Sequence, residues 1–230
     1  MSRDWNFKST IDTVSSFVLM AVAVSFLALY VQRATGATRP SGGPAAAGPL
    51  SAQAWKDALR TGIRIGADSA EFSIAAFVDF QCPYCRRMAA TLDTILRENA
   101  ATPGKVAVVI QHFPLSGHQF AKPSAIVAEC AARVNRFAEM FTLLFEKQDS
   151  LGLKTWTSYA AEAGVRDTVA FARCSRLPVD SFPRINTGLD LGRRNNVRAT
   201  PTIWIEGRQF AGAIDLETLR GRMARAGKRN

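Results

Sequence analysis

The junction at residues 72–85 constrains this chain more than any other stretch. FSIAAFVDF, at 72–80, is a short and nearly unbroken apolar run, the pattern of a strand buried on both faces. Directly after it the period changes. From 83 to 99 apolar side chains recur at helical spacing, with Met88, Leu92, Ile95 and Leu96 on one face. A buried strand that feeds straight into an amphipathic helix is the mark of a mixed α/β domain. At the switch itself stand Cys82, Pro83, Tyr84 and Cys85.

The pattern continues beyond Trp55 in a definite order. Pro103-Gly104 makes a turn into VAVVI at 106–110, a second buried strand, and a long helical stretch of about 118–196 follows. TIWIE at 202–206, a tight turn at Gly207-Arg208, QFAG and a closing helix from about Asp215 complete it. Residues 55–230 therefore read as one α/β domain with a helical insertion at about 118–196. No internal repeat is visible.

Two segments of different character precede this domain. Residues 13–31, TVSSFVLMAVAVSFLALYV, carry no charge, and as a helix they would extend about 29 Å, close to a bilayer's hydrocarbon thickness. A cleaved leader ending near Gly36 or Ala37 is the competing reading. Against it, Gln32 and Arg33 follow the run before any small-residue site, which favours an uncleaved anchor in residues 1–33. Residues 34–54 are rich in Gly, Ala and Pro and read as a flexible linker with a reach of about 23 Å. Arg3 and Lys8 before the span balance Arg33 and Arg39 after it, so flanking charge does not orient it. The cysteine chemistry does, placing the N-terminus in the cytoplasm and the domain outside, where a disulfide persists.

Two cysteines three positions apart at a helix start can close a disulfide with little backbone movement. Cys82 falls where unpaired N–H groups and the helix dipole favour an anion, and the thiolate is the form that attacks disulfides. Cys82 is thus the expected nucleophile and Cys85, one turn inward, the resolving thiol. Pro83 suits the first helical turn, where its missing N–H costs nothing. Half a zinc knuckle uses the same spacing, but Cys130 and Cys174 form no second close pair and His112 and His118 lack finger spacing. No metal and no cofactor is expected.

FVDFQCPYCRRM resembles the active-site segment of the DsbA-like branch of the thioredoxin superfamily. The resemblance continues in HFPLSGHQFAKPSA at 112–125, in the helical stretch around AECAARVNRFAEMFTLLFEKQ and in ATPTIWIEG at 199–207. It implies a thioredoxin fold with a helical insertion, preceded here by the transmembrane helix and linker. It also implies a cis bond at Thr200-Pro201, with Pro201 walling the active site and the Thr200 backbone holding an incoming substrate strand. Two departures stand out. Relatives often carry a buried acid six positions before the first cysteine, where this chain has Ala76. Asp79, on the opposite side of an alternating strand, is not counted among the catalytic residues. Tyr84 stands where the strongest oxidants of the family have His, so less thiolate stabilisation is expected, and Pro-Tyr is the dipeptide of the more reducing glutaredoxins.

Cys130 and Cys174 both lie on apolar helical stripes, Cys130 with Val134, Phe137, Phe141 and Leu144. Two buried free thiols are one reading; a structural disulfide closing the insertion is the favoured one in an oxidising compartment. His118 is read as a capping or loop-packing residue and His112 as the end of a strand.

The net charge of +10 and pI of about 10.0 would draw the chain to anionic surfaces. No reading motif accompanies the basic residues, so nucleic acid is not among the expected partners. The expected function is protein thiol–disulfide exchange, introducing disulfides into exported cysteine-containing proteins. Its partner would be a membrane redox protein of the DsbB or vitamin K epoxide reductase type. A reductase or isomerase would use the same pair, and a tethered holdase or metal carrier would use neither cysteine catalytically.

Overall fold

The computed structural model describes residues 20, 22, 24–27, 46–102 and 104–226. The chain falls into two units, Met1–Gly42 and Gly43–Asn230. In the first, residues 20, 22 and 24–27 are helical, and Met20, Val22, Val24, Phe26 and Leu27 are exposed. The remainder of the 13–31 run lies outside the described residues, among which no helix is long and apolar enough to cross a membrane.

The second unit is a six-stranded sheet with helices on both faces. Its strands are β1 (Ala46–Pro49), β2 (Ile63–Gly66), β3 (Phe72–Val78), β4 (Val106–His112), β5 (Thr202–Ile205) and β6 (Arg208–Ala211). They lie in the order β1-β6-β5-β3-β4-β2. Only β3 and β4 pair in parallel, and every other neighbour is antiparallel. The helices are α1 (Ala52–Thr61), α2 (Pro83–Glu98), α3 (Ala121–Ala132), α4 (Phe137–Glu146), α5 (Trp156–Glu162), α6 (Thr168–Ser175), α7 (Pro183–Arg194) and α8 (Leu216–Ala226).

Central β3 explains its own sequence. Ile74, Ala76 and Val78 face one core with Met88, Leu92 and Ile95 of α2, while Ala75 and Phe77 face a second with Ala58 of α1, Leu191 of α7 and Trp204. With both faces covered, alternation disappears and a continuous apolar run remains. The α7 helix approaches the end of β4 closely: a side chain at Gly188 would meet the His112 carbonyl oxygen at 2.5 Å. The β5–β6 hairpin turns through Glu206 and Gly207, at φ 49° and 70°, the paired left-handed conformation that matches strand twist.

Two expectations need correcting. The linker assigned to 34–54 ends earlier than composition indicated. Ala46–Pro49 adds an edge strand to β6, Leu50 N–H donates to the Gly207 carbonyl at 2.8 Å, and Ser51 caps α1 by accepting from Ala54 N–H. Strand addition at an edge uses backbone groups, so it asks little of side chains, and Gly48 at φ 139° takes up the register shift there. The supposed stripe through Cys130, Val134 and Phe137 is broken, because α3 ends at Ala132, Asn135 adopts φ 55° and Val134 is exposed.

Candidate active site

The site forms where β3 ends and α2 begins. Cys82 is the N-cap of α2, in extended conformation, and Pro83 is its first residue. Cys82 N–H donates to the Asp79 carbonyl at 3.1 Å, while the N–H groups of Cys85 and Arg86 donate back to the Cys82 carbonyl at 3.0 and 3.2 Å. Both cysteines are buried and unbonded. Tyr84 faces solvent, 56% exposed, and the Arg87 guanidinium stacks over its ring at 4.7 Å.

Across the site, the Thr200–Pro201 bond is cis. The chain entering β5 carries the Thr200 carbonyl oxygen 3.1 Å from Cys82 Sγ. Residues 82–85 and 200–201, distant in sequence, meet in one place. Cys130 and Cys174 do not join them: they are bonded to each other, linking α3 to α6 within the helical insertion.

The two thiols are driven apart electrostatically. Cys82 is lowered to about 5, chiefly by the hydrogen bond from the Cys85 thiol. Burial opposes this, and the backbone N–H groups of Cys85 and Tyr84 assist it. Burial pushes Cys85 well above the usual thiol range, and its donation to Cys82 adds to the effect. One sulfur is thus an anion at neutral pH and the other a protected proton carrier, the division that a nucleophile and a resolving thiol require.

Several side chains that the sequence left outside the site support it. Gln148, in a short turn after α4, donates from Nε2 to the carbonyls of Phe80 and Cys82 at 2.7 and 3.0 Å. Arg86 donates to the Phe145 carbonyl and to both carboxylate oxygens of Asp149, binding α2 to the insertion. Asp79, set aside from strand alternation, lies past the end of β3, where alternation no longer applies. Its N–H lies 3.5 Å from Cys85 Sγ and its carboxylate contacts His118 Nδ1 at 2.8 Å. His112 is buried at the end of β4, with Nε2 3.2 Å from Glu129 Oε1, and Arg184 grips both oxygens of that carboxylate. Among the described residues no cluster of three or more His, Cys, Asp or Glu could hold a metal.

The thioredoxin family model matches residues 58–223, which takes in the cysteine pair, the cis-proline and the whole insertion. The chain belongs to the thioredoxin family. Thioredoxin-fold structures reproduce its architecture. A periplasmic thioredoxin-like protein from Salmonella enterica serovar Typhimurium superposes with TM-score 0.62 at 23% identity, covering 78% of this chain and 98% of that one. The thiol-disulfide exchange protein α-DsbA2 from Wolbachia pipientis gives TM-score 0.65 at 18% identity, covering 75% and 92%. Among curated sequences, a protein named Na(+)/H(+) antiporter NhaA 1 from Mycolicibacterium gilvum is 30% identical over 156 residues, 67% of this chain. The chain spans about a quarter of the length of the curated relatives it matches. The Cys82/Cys85 pair and Thr200-Pro201 both fall within the span that the thioredoxin family model matches.

Proposed function

We propose that this protein is an oxidant that introduces disulfides into exported cysteine-containing proteins through Cys82 and Cys85. One observation carries the direction: Cys82 stands at the N-terminus of α2 beside the Cys85 thiol, a placement that favours its thiolate and lowers it to about 5. A stabilised thiolate favours the reduced dithiol, and favouring the reduced form makes the disulfide more oxidising. The value lies between about 7 for thioredoxin and about 3.5 for DsbA. Tyr84 in place of a cationic neighbour fits this intermediate rank. Losing one charge-assisted contact of roughly 1.5–3 kcal/mol lowers the potential by about 30–60 mV from DsbA's, to roughly −150 to −180 mV.

In this reading a substrate strand lies against the Thr200 backbone, beside Pro201, and its thiolate attacks Cys82. The anchor in residues 1–33 holds the domain on the extracytoplasmic side of the cell membrane. It rests on the uncharged 13–31 run and on the exposed apolar side chains of the helical residues within it. Reoxidation of the pair then falls to a membrane partner of the DsbB or vitamin K epoxide reductase type. Equilibrating the protein with glutathione buffers and quantifying the Cys82–Cys85 disulfide tests the direction. A potential near the thioredoxin value of about −270 mV would make the protein a reductase or isomerase instead.

A further inference from the structure

Asp79 touches both redox cysteines through its peptide groups. Its carbonyl accepts from Cys82 N–H at 3.1 Å, and its own N–H lies 3.5 Å from Cys85 Sγ. Its side chain is fully buried. Oδ1 accepts from Gln81 N–H, while Oδ2 accepts from Leu115 N–H and from the His118 ring, each at 2.8 Å. Leu115 and His118 belong to the loop after β4, which is fastened a second time where Gln81 Oε1 accepts from Phe120 N–H at 2.6 Å. The His118 side chain is 30% exposed, so one edge of this cluster reaches solvent. A buried carboxylate is tolerated when its lone pairs are met. Three donors anchor this one, and an anchored carboxylate fixes the peptide that bears it.

Exchange passes negative charge through Cys85 in either direction. When a substrate thiolate attacks Cys82 of the oxidised pair, a Cys82–substrate bond forms and the Cys82–Cys85 bond breaks. Cys85 leaves with the electron pair and then takes up a proton. In reverse, Cys85 gives up its proton and attacks Cys82, and the substrate sulfur departs with the pair. In both cases an N–H aimed at Cys85 Sγ stabilises the charge at a site whose burial opposes it.

We propose that Asp79 and His118 are positioning residues for the Cys85 sulfur, the carboxylate clamped by His118 and Leu115 holding the Asp79 N–H on Cys85. This rests on the exchange reading of the pair given above. The ionisable groups that meet at this corner are Cys82 and Cys85 of α2, Asp79 beyond β3 and His118 of the loop.

The test uses the full-length protein with a glutathione mixed disulfide formed on Cys82. The rate at which Cys85 closes it is read by acid quench and mass spectrometry across pH. His118→Ala and Asp79→Asn should each slow closure about tenfold, as weakening a hydrogen bond to a charged group would, and raise the pH of half-maximal closure. Alkylation of Cys82 should stay within about twofold of the parent, because that reaction leaves Cys85 protonated. His118→Asn, whose amide can still donate to Asp79, should restore closure. Parent-like closure in both slowed variants would overturn the positioning role, and so would a parallel fall in closure and Cys82 alkylation. If the parent protein forms no glutathione mixed disulfide at all, the exchange reading itself fails and this inference with it.

Discussion

Cys82 Sγ and the carbonyl oxygen of Thr200 lie 3.1 Å apart although 118 positions separate them. The contact joins the helix that activates the sulfur to the strand entry that would hold a substrate backbone. The proposed nucleophile and the proposed docking edge are thus brought to one corner, beside the antiparallel pairing of β3 with β5.

The roles of the two thiols predict an asymmetry in trapping. Cys85→Ser should accumulate mixed disulfides with substrate proteins, whereas Cys82→Ser should accumulate almost none. Non-reducing gels of cell extracts read this directly, and equal trapping by both variants would contradict the assignment.

Acidity of Cys82 also couples redox state to pH. The folded thiol, at about 5, lies below its ordinary 9.0, so the reduced fold gains stability as pH rises between those values and loses it as pH falls toward 5. The oxidised protein has no such thiol. Denaturant unfolding should therefore show the reduced form gaining on the oxidised form from pH 5 to 9. Alkylation of Cys82 should reach half its plateau rate near pH 5.

Glu129 provides a second pH window. Burial pushes its carboxyl up, but the His112 ring at 3.2 Å and the hydrogen bonds from Arg184 outweigh that and hold it at about 2. Being lowered from 4.5, it stabilises the fold above that pH, and the contribution is lost as pH falls from 4.5 toward 2. Glu129→Gln should remove about 3 kcal/mol at neutral pH and flatten the acid limb of a urea-stability profile. An unchanged acid limb would count against the His112–Glu129–Arg184 network.

The Cys130–Cys174 bond should act on stability without acting on exchange. Removing a link across a loop of this length is worth roughly 4 kcal/mol in chain entropy. The double replacement by Ala should lower the unfolding midpoint while Cys85→Ser in that background still traps substrates. Loss of trapping in a folded variant would tie the bond to the reaction.

Tyr84→His should raise the reduction potential by about 30–60 mV, since a protonated imidazole beside Cys82 adds a charge-assisted contact. No change in potential would remove the electrostatic account of this dipeptide.

How far the sequence discloses this molecule depends on which atoms do the holding. Unbroken apolar runs marked β3 and β4, which are buried on both faces, and helical periodicity marked α2, which buries one face. β2 went unseen, as its four residues include Arg64 and none is fully buried. β1 was hidden because its attachment to β6 is made by backbone groups. Within the site, the cysteines and Thr200-Pro201 were legible as motifs. Asp79, Gln148 and Arg86 were not, since each acts through a peptide group or a partner dozens of positions away. His118, read as a packing residue, has a buried carboxylate as its contact.

Gln148 belongs to the insertion, yet its amide ends on the carbonyls of Phe80 and Cys82. The reactive turn is thus held in part by a segment that lies 66 positions beyond Cys82 in the chain. Exchanging insertions between related proteins should carry thiol reactivity along with them, even where the four residues from Cys82 to Cys85 are kept unchanged. The insertion would then be a tuning module, and a transplanted C-x-x-C motif alone would reproduce only part of the donor's behaviour.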